Sequence, residues 1–209
     1  MNQADEQHCI TNVEALESLY GAPKEVSIAK EIDCIHPLYV KLIQASPFVA
    51  LATAGDDGLD VSPRGDGAGF VVVENEKTLL LPDRRGNNRI DSLRNIIADP
   101  RVALLFLIPG VNETFRVNGR AHISVDPDLL ARFAVDGHIP KSVLVVHVEA
   151  AYFQCSRAIV RSKLWDHTKH VTRASLPSAG AILSALTHDK IDGQQYDRDL
   201  PGRVATTLY

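Results

Sequence analysis

The chain has 209 residues, with 22 Lys and Arg against 26 Asp and Glu, a net charge of -4 and 45% hydrophobic residues. That balance belongs to a folding globule and excludes a disordered or fibrous chain. A chain of this length buries about 70% of its unfolded surface and needs neither disulfides nor a metal to hold it. Cys9, Cys34 and Cys155 are odd in number and lack any C-x-x-C spacing. They exclude a disulfide framework and a structural zinc site, and a reducing cytoplasm is expected. The opening MNQADEQHCI has no basic stretch followed by an apolar one, so no signal peptide is expected. No apolar run reaches the roughly 18 residues of a membrane span. The acidic balance argues against a nucleic-acid partner. A small-molecule ligand remains the natural expectation.

In chain order, Thr11 and Glu14 read as a capping box, with Val13, Leu16 and Leu19 on one helical face and Gly21 and Pro23 as the stop. A second helix is predicted from Pro37, turning Leu38, Leu42 and Ile43 inward until Ser46 and Pro47. The period then changes to that of strands. Phe48 to Ala54 and Leu59 to Pro63 are predicted as a hairpin across the turn GDDG at 55–58, followed by strands at Phe70 to Glu74 and Thr78 to Leu81. A helix is predicted from Asn88 to Ala98, with Ile90, Leu93 and Ile97 on its buried stripe and Asp99 and Pro100 as its stop. Val102 to Ile108 and Thr114 to Val125 form a second predicted hairpin. A short helix near Asp128 to Val135 and a long β-branched strand from Ser142 to Gln154 follow. Short antiparallel strands with only isolated helices between them favour a closed barrel over a doubly wound sheet. The polar segment after Ser156 has one amphipathic piece, Ile182, Leu183 and Leu186, and reads as a tail or dimer arm.

Neither a P-loop nor a G-x-S-x-G elbow is present, and GDGAG at 65–69 precedes a strand where a dinucleotide fingerprint would open a helix. The richer segment is LLLPDRRGNNRIDSLRNI at 79–96. Here a strand runs into a loop holding Arg84, Arg85, Asn87, Asn88 and Arg89 and then into a helix start. Unpaired N–H groups, the helix dipole and guanidinium forks suit an anion such as a phosphate. A second reading stays open, in which Asn88 caps the helix and the arginines are solvated. In DVSPRGDG at 60–67, Arg64 follows Pro63 at a strand end, where an edge or bulge exposes backbone to a planar ligand. His167 and His170 have the only metal-like spacing among the histidines, without a carboxylate pattern to complete a site. Cys155 has no base placed beside it by the sequence and is assigned a structural role.

The order FVALATAGDDGLDVSPRGD, LLLPDRRGNNRIDSLRNIIADPRVALLFLIPG and ETFRVNGRAHIS resembles the pyridoxamine 5'-phosphate oxidase-like, FMN-binding split-barrel family. The ending CSRAIVRSKLWD at 155–166 is similar to a subgroup described as probable FMN-dependent enzymes. The resemblance implies a mainly β (α+β) fold, a six-stranded antiparallel split β-barrel with peripheral helices. It implies residues 1–36 as an N-terminal helical arm, 37–165 as the barrel domain and 166–209 as a tail or dimer arm. It also implies a cytoplasmic homodimer with FMN at the subunit interface. On that template Arg85, Asn88 and Arg89 hold the phosphate. Val61, Ser62, Pro63 and Arg64, with Pro82, lie along the flavin and its ribityl chain. Thr114 reaches over from the partner subunit, and Trp165 stacks near the cofactor or seals the dimer. The helix start has Asn88 and Arg89 where pyridoxamine-phosphate oxidases carry an Arg-Lys pair, and SKLWDHTKH does not match their substrate segment. Vitamin B6 oxidation is therefore not expected. The implied activity is flavin-mediated hydride transfer with an unidentified substrate or electron donor. The alternatives are a non-catalytic FMN carrier or sensor, or a barrel that takes haem or a deazaflavin.

Overall fold

The computed structural model describes residues 8–56 and 58–209. Among these, seven strands form one antiparallel sheet: β1 (Phe48–Gly55), β2 (Gly58–Gly65), β3 (Val72–Asn75), β4 (Thr78–Asp83), β5 (Arg101–Leu107), β6 (Thr114–Ser124) and β7 (Ser142–Gln154). Their order is β2-β1-β5-β6-β7-β4-β3. The mainly β split-barrel class holds. The expected count of six is corrected to seven, and the expected closed barrel to an open sheet with β2 and β3 as its edges. The β1–β2 hairpin runs in register from Phe48 opposite Gly65 to Gly55 opposite Gly58; Asp57 of its turn lies outside the described residues.

Alternation explains the core. Val49, Leu51 and Thr53 of β1, Val102, Leu104 and Phe106 of β5, and Phe115 and Val117 of β6 point to one side and are buried. Leu79 and Leu81 of β4 and Leu144, Val146 and Val148 of β7 join the same cluster, so the sheet curls until its two halves share one interior. The opposite face of β4 and β7 buries Leu80 and Val143 against Phe133. This is why Leu79–Pro82 and Ser142–Leu144 are buried without interruption. A bulge fixes the register of β6 on β7. Asn118 faces Ala150 and Gly119 faces Val148, leaving Glu149 as the extra residue. It moves the inward positions of β7 from 144, 146 and 148 to Ala151. At that bulge a Cβ on Gly119 would run into the carbonyl oxygen of His147, so glycine is required there.

The helices are α1 (Val13–Tyr20), α2 (Glu25–Ala29), α3 (Pro37–Ala45), α4 (Asp91–Ala98), α5 (Pro127–Ala131), α6 (Arg157–Ser162), α7 (Ala179–Leu186) and α8 (Gly193–Thr206). Several expectations are corrected here. α1 is capped by Asn12, whose Oδ1 accepts from the N–H of Ala15 at 2.8 Å, and not by Thr11. In α3 Ile43 is buried and Leu42 packs partly buried against the core, as expected, whereas Leu38 is exposed. The segment read as a polar tail holds two helices, α7 over its amphipathic piece and α8, which carries Pro201 inside it. Cys155 is exposed just beyond β7, so it is not a packed core thiol. No helix among the described residues is long and apolar enough to cross a membrane.

The segment before α3 is joined to the barrel by backbone. Ile32 and Ala151 exchange both hydrogen bonds at 3.1 and 2.7 Å, and the N–H of Ile35 donates to Glu76 O at 2.7 Å.

Candidate functional site

The strand-to-helix junction after β4 opens on a cleft of about 1110 Å³. Its walls are the outer end of β2, the end of β4, the loop at 84–90, the first turn of α4, the loop at 137–141 and the side chain of Tyr209. Strand pairing brings these together. β4 lies against β7 with Asp83 opposite Ser142, so the residues just before β7 must lie beside those just after β4.

The helix does not begin where its sequence suggests. Asn88 and Ile90 adopt left-handed backbone at φ 58° and 55°, and α4 starts only at Asp91. For a β-branched residue such as Ile90 this conformation is a strained outlier that its surroundings must impose. Two consequences follow. Asn88 is a loop residue and not the cap, and no side chain caps the helix, which leaves its first N–H groups without a side-chain cap where Ile90 to Leu93 line the cleft. The buried stripe is also rotated from the expected one: Ser92 and Ile96 are buried with Leu93 partly so, while Ile90 and Ile97 are exposed, Ile97 at 78%. Ile96 faces inward in place of Ile97, a rotation of about 100° around the helix, and Leu93 belongs to both faces. Side chains pin the helix. Asn95 Nδ2 donates to Thr53 Oγ1 at 3.0 Å, and the hydroxyl of Ser92 donates to Asp60 Oδ2 at 3.0 Å, where Ser62 also donates at 2.9 Å.

The three clustered arginines separate into different roles. Arg84 is spent on structure, donating through Nε to Asp66 at 2.6 Å and through a terminal nitrogen to the Phe133 carbonyl at 2.6 Å. Arg89 pairs with Asp91 at 2.8 Å, with both ends substantially exposed. Arg85 is exposed and its guanidinium makes no ion pair or hydrogen bond to a described residue. Arg64 faces Asp83 at 3.7 Å, both about four-fifths buried by side chain. Burial pushes the Asp83 carboxyl above the usual carboxylate value, against the opposing pull of Arg64 and Lys141. Asp66 shows the reverse outcome. Burial would raise it, but the hydroxyl of Tyr209, the N–H of Gly67 and Arg84 together hold it below 3.8. A cleft with a surplus of cations at one end can bind an anion.

Of the candidates from sequence, Ser62, Pro63, Arg64, Pro82, Arg85, Asn88 and Arg89 line this one cleft. Val61, Thr114 and Trp165 do not. Val61 alternates to the other face of β2 and is 65% exposed. Thr114 opens β6 opposite Gln154, and the indole N–H of Trp165 donates to the Val111 carbonyl at 2.7 Å, which seats the ring on the β5–β6 loop. His167 and His170 flank an exposed single turn, and no group of three or more His, Cys, Asp or Glu able to hold a metal occurs among the described residues. Sequence reasoning missed Asp60, Asp83, His138, Lys141 and Tyr209 as cleft residues. For Lys141 a signal existed, since it immediately precedes the strand that pairs with β4. For Tyr209 there was none.

The residues fit a phosphate-bearing planar ligand by the chemistry of their donors: an uncapped helix start, an unpaired guanidinium, loop amides and a cleft of sufficient size.

A family model described as pyridoxamine 5'-phosphate oxidase matches residues 35–155. No curated protein sequence matches the chain. Among solved structures, HupZ of Group A Streptococcus aligns at 18% identity over 57% of this chain and 93% of its own, with a TM-score of 0.47. A candidate pyridoxamine 5'-phosphate oxidase from Lactobacillus delbrueckii aligns at 21% identity over 58% and 95%, with a TM-score of 0.47. A Clostridium acetobutylicum protein related to general stress protein 26 of B. subtilis aligns at 15% identity over 55% and 83%, with a TM-score of 0.42.

Proposed function

We propose that this chain, which belongs to the pyridoxamine 5'-phosphate oxidase family, is an FMN-binding oxidoreductase acting on a small substrate. The observation that carries the reading is the cationic, uncapped strand-to-helix junction opening on a large cleft in a chain of net charge -4. Bound FMN would supply hydride transfer, chemistry for which the protein needs no nucleophile of its own.

Arg85 holds the phosphate as the guanidinium with no internal partner, assisted by the amide of Asn88 and the first N–H groups of α4. Arg89 joins by exchanging Asp91 for the phosphate. Ser62, Pro63, Arg64 and Pro82 form the wall along the ring system. Asp83, with its raised affinity for a proton, and Lys141 stand where a substrate would enter. Thr114 and Trp165 lie away from the cleft of their own chain, so they contribute only if a second copy brings them to it, as the homodimeric reading requires.

The visible spectrum of the purified protein, with identification of the released chromophore, is the direct test. A Soret band in place of flavin absorption would replace FMN with haem. Arg85→Ala should weaken FMN binding by about 1.5–3 kcal/mol, the worth of a charge-assisted hydrogen bond. Arg89→Ala should cost less, since Arg89 is already paired. Fluorescence titration reads both, and equal affinities for wild type and Arg85→Ala would reject the site. Oxidation of NAD(P)H above the free-flavin rate separates enzyme from carrier.

A further inference from the structure

Tyr209 is far from the barrel in sequence, yet its side chain lines the cleft. Its hydroxyl donates to Asp66 Oδ1 at 2.7 Å, and its ring faces the Arg84 guanidinium, whose Cζ lies 5.6 Å from the ring centre. The seat beneath it is rigid. Asp66 also accepts from the N–H of Gly67 at 2.7 Å and from Arg84 Nε at 2.6 Å, and Arg84 is fixed a second time at the Phe133 carbonyl. Every oxygen of the Asp66 carboxylate therefore has a donor.

The part that carries Tyr209 is equally well built. α7 and α8 cross with Gly180 against Gly193, where a Cβ on either residue would strike the other's carbonyl oxygen. Asp197 of α8 bonds the hydroxyl of Ser178 and accepts from the N–H of Gly180 at 2.8 Å, so one helix caps the other. Toward the barrel the pair makes few polar contacts. Among the described residues, the hydrogen bond of Tyr209 to Asp66 is the one hydrogen bond joining residues 170–209 to the barrel, and no ion pair adds to it. Of residues 170–209 only Tyr209 lines the cleft, so this one hydrogen bond places a single side chain of the cleft on a support otherwise joined to the barrel by the chain itself.

We propose that Tyr209, seated on Asp66 and Arg84 and carried by the α7–α8 hairpin, is itself a latch over one side of the cleft, so that its release governs how quickly a ligand leaves. The latch itself is independent of the cofactor. The kinetic consequence for FMN rests on the functional reading above, and the two are tested separately.

Full-length Tyr209→Ala and Tyr209→Phe are compared with wild type in two measurements. In the first, without ligand, a dicarbonyl arginine reagent is applied and the sites of modification are mapped by mass spectrometry. The latch requires Arg84 and Arg64 to react several-fold faster in Tyr209→Ala, with exposed Arg198 as the unchanged control. Tyr209→Phe keeps the ring on Arg84 and loses only the hydrogen bond, and should fall between the two. Equal rates at Arg84 and Arg64 in wild type and Tyr209→Ala overturn the latch. In the second, stopped-flow fluorescence follows FMN release. An exit rate about 10-fold faster in Tyr209→Ala is expected from loss of a hydrogen bond to a carboxylate. Faster labelling with an unchanged exit rate overturns control of ligand exit. Faster labelling with no FMN binding by wild type supports the closing contact and rejects the FMN reading instead.

Discussion

Phe106 and Phe115 stand 5.9 Å apart in the barrel, fully buried among Leu51, Leu104 and Val117. Val13, Leu19 and Tyr20 of α1 and Leu186 of α7 are apolar side chains of similar size, and all of them are exposed. The barrel and its helical flanks thus use much the same residues for different ends. In the barrel, apolar burial supplies the stability, because alternating strands from both halves of the sheet share one interior. In the flanks, polar and backbone contacts hold each piece: Ile32 on Ala151, Asp197 across the α7–α8 crossing, Tyr209 on Asp66. A mutation's cost should therefore follow the region it falls in and not the residue type.

The largest effect is expected in the barrel. Phe115→Ala should lower stability by about 3–5 kcal/mol, since a ring enclosed by Phe106 and Tyr39 leaves a cavity that neighbouring strands cannot fill. Urea denaturation measures it, and a loss near 1 kcal/mol would mean that the core repacks far more readily than its register suggests. An intermediate effect is expected where the two regions meet. Asp66 is held below 3.8 in the folded chain, so its contribution is fully present above the unfolded carboxylate value and lost as pH falls through it toward the folded one. The stability difference between wild type and Asp66→Asn should stay constant above about pH 5 and shrink below it. A difference that does not change with pH would detach Asp66 from this network. The smallest effect is expected in the flank. Leu16→Ala on α1 should change stability by less than about 0.5 kcal/mol, as for an unburied surface substitution. A loss comparable to that of Phe115→Ala would show that α1 is covered by another surface in solution, the second subunit being the one proposed above.

The strands were readable because alternation is local. β7 was bounded from its β-branched run, and the β1–β2 hairpin from the glycines of its turn. The helix after β4 was recognised but misplaced. Nothing in RGNNRID reveals that Asn88 and Ile90 take left-handed backbone, or that α4 is then tied to Thr53 and Asp60, which lie far from it in sequence. The basic loop was likewise visible as charge. Its division into a structural Arg84, a paired Arg89 and an unengaged Arg85 was not, because the partners that decide it, Asp66 and Phe133, lie elsewhere in the chain.

Periodicity, turn residues and the cluster of cations by themselves determined that this chain builds an antiparallel split barrel with a basic junction after its fourth strand. These signals act over a few residues and survive without knowledge of neighbours. Only the tertiary structure decided the face that α4 buries, the bulge that resets β7, the entry of Lys141 into the cleft beside Asp83, and the arrival of Tyr209 on Asp66. Each of these depends on contacts between segments far apart in sequence, whose free energy is absent until the sheet has curled and brought them together.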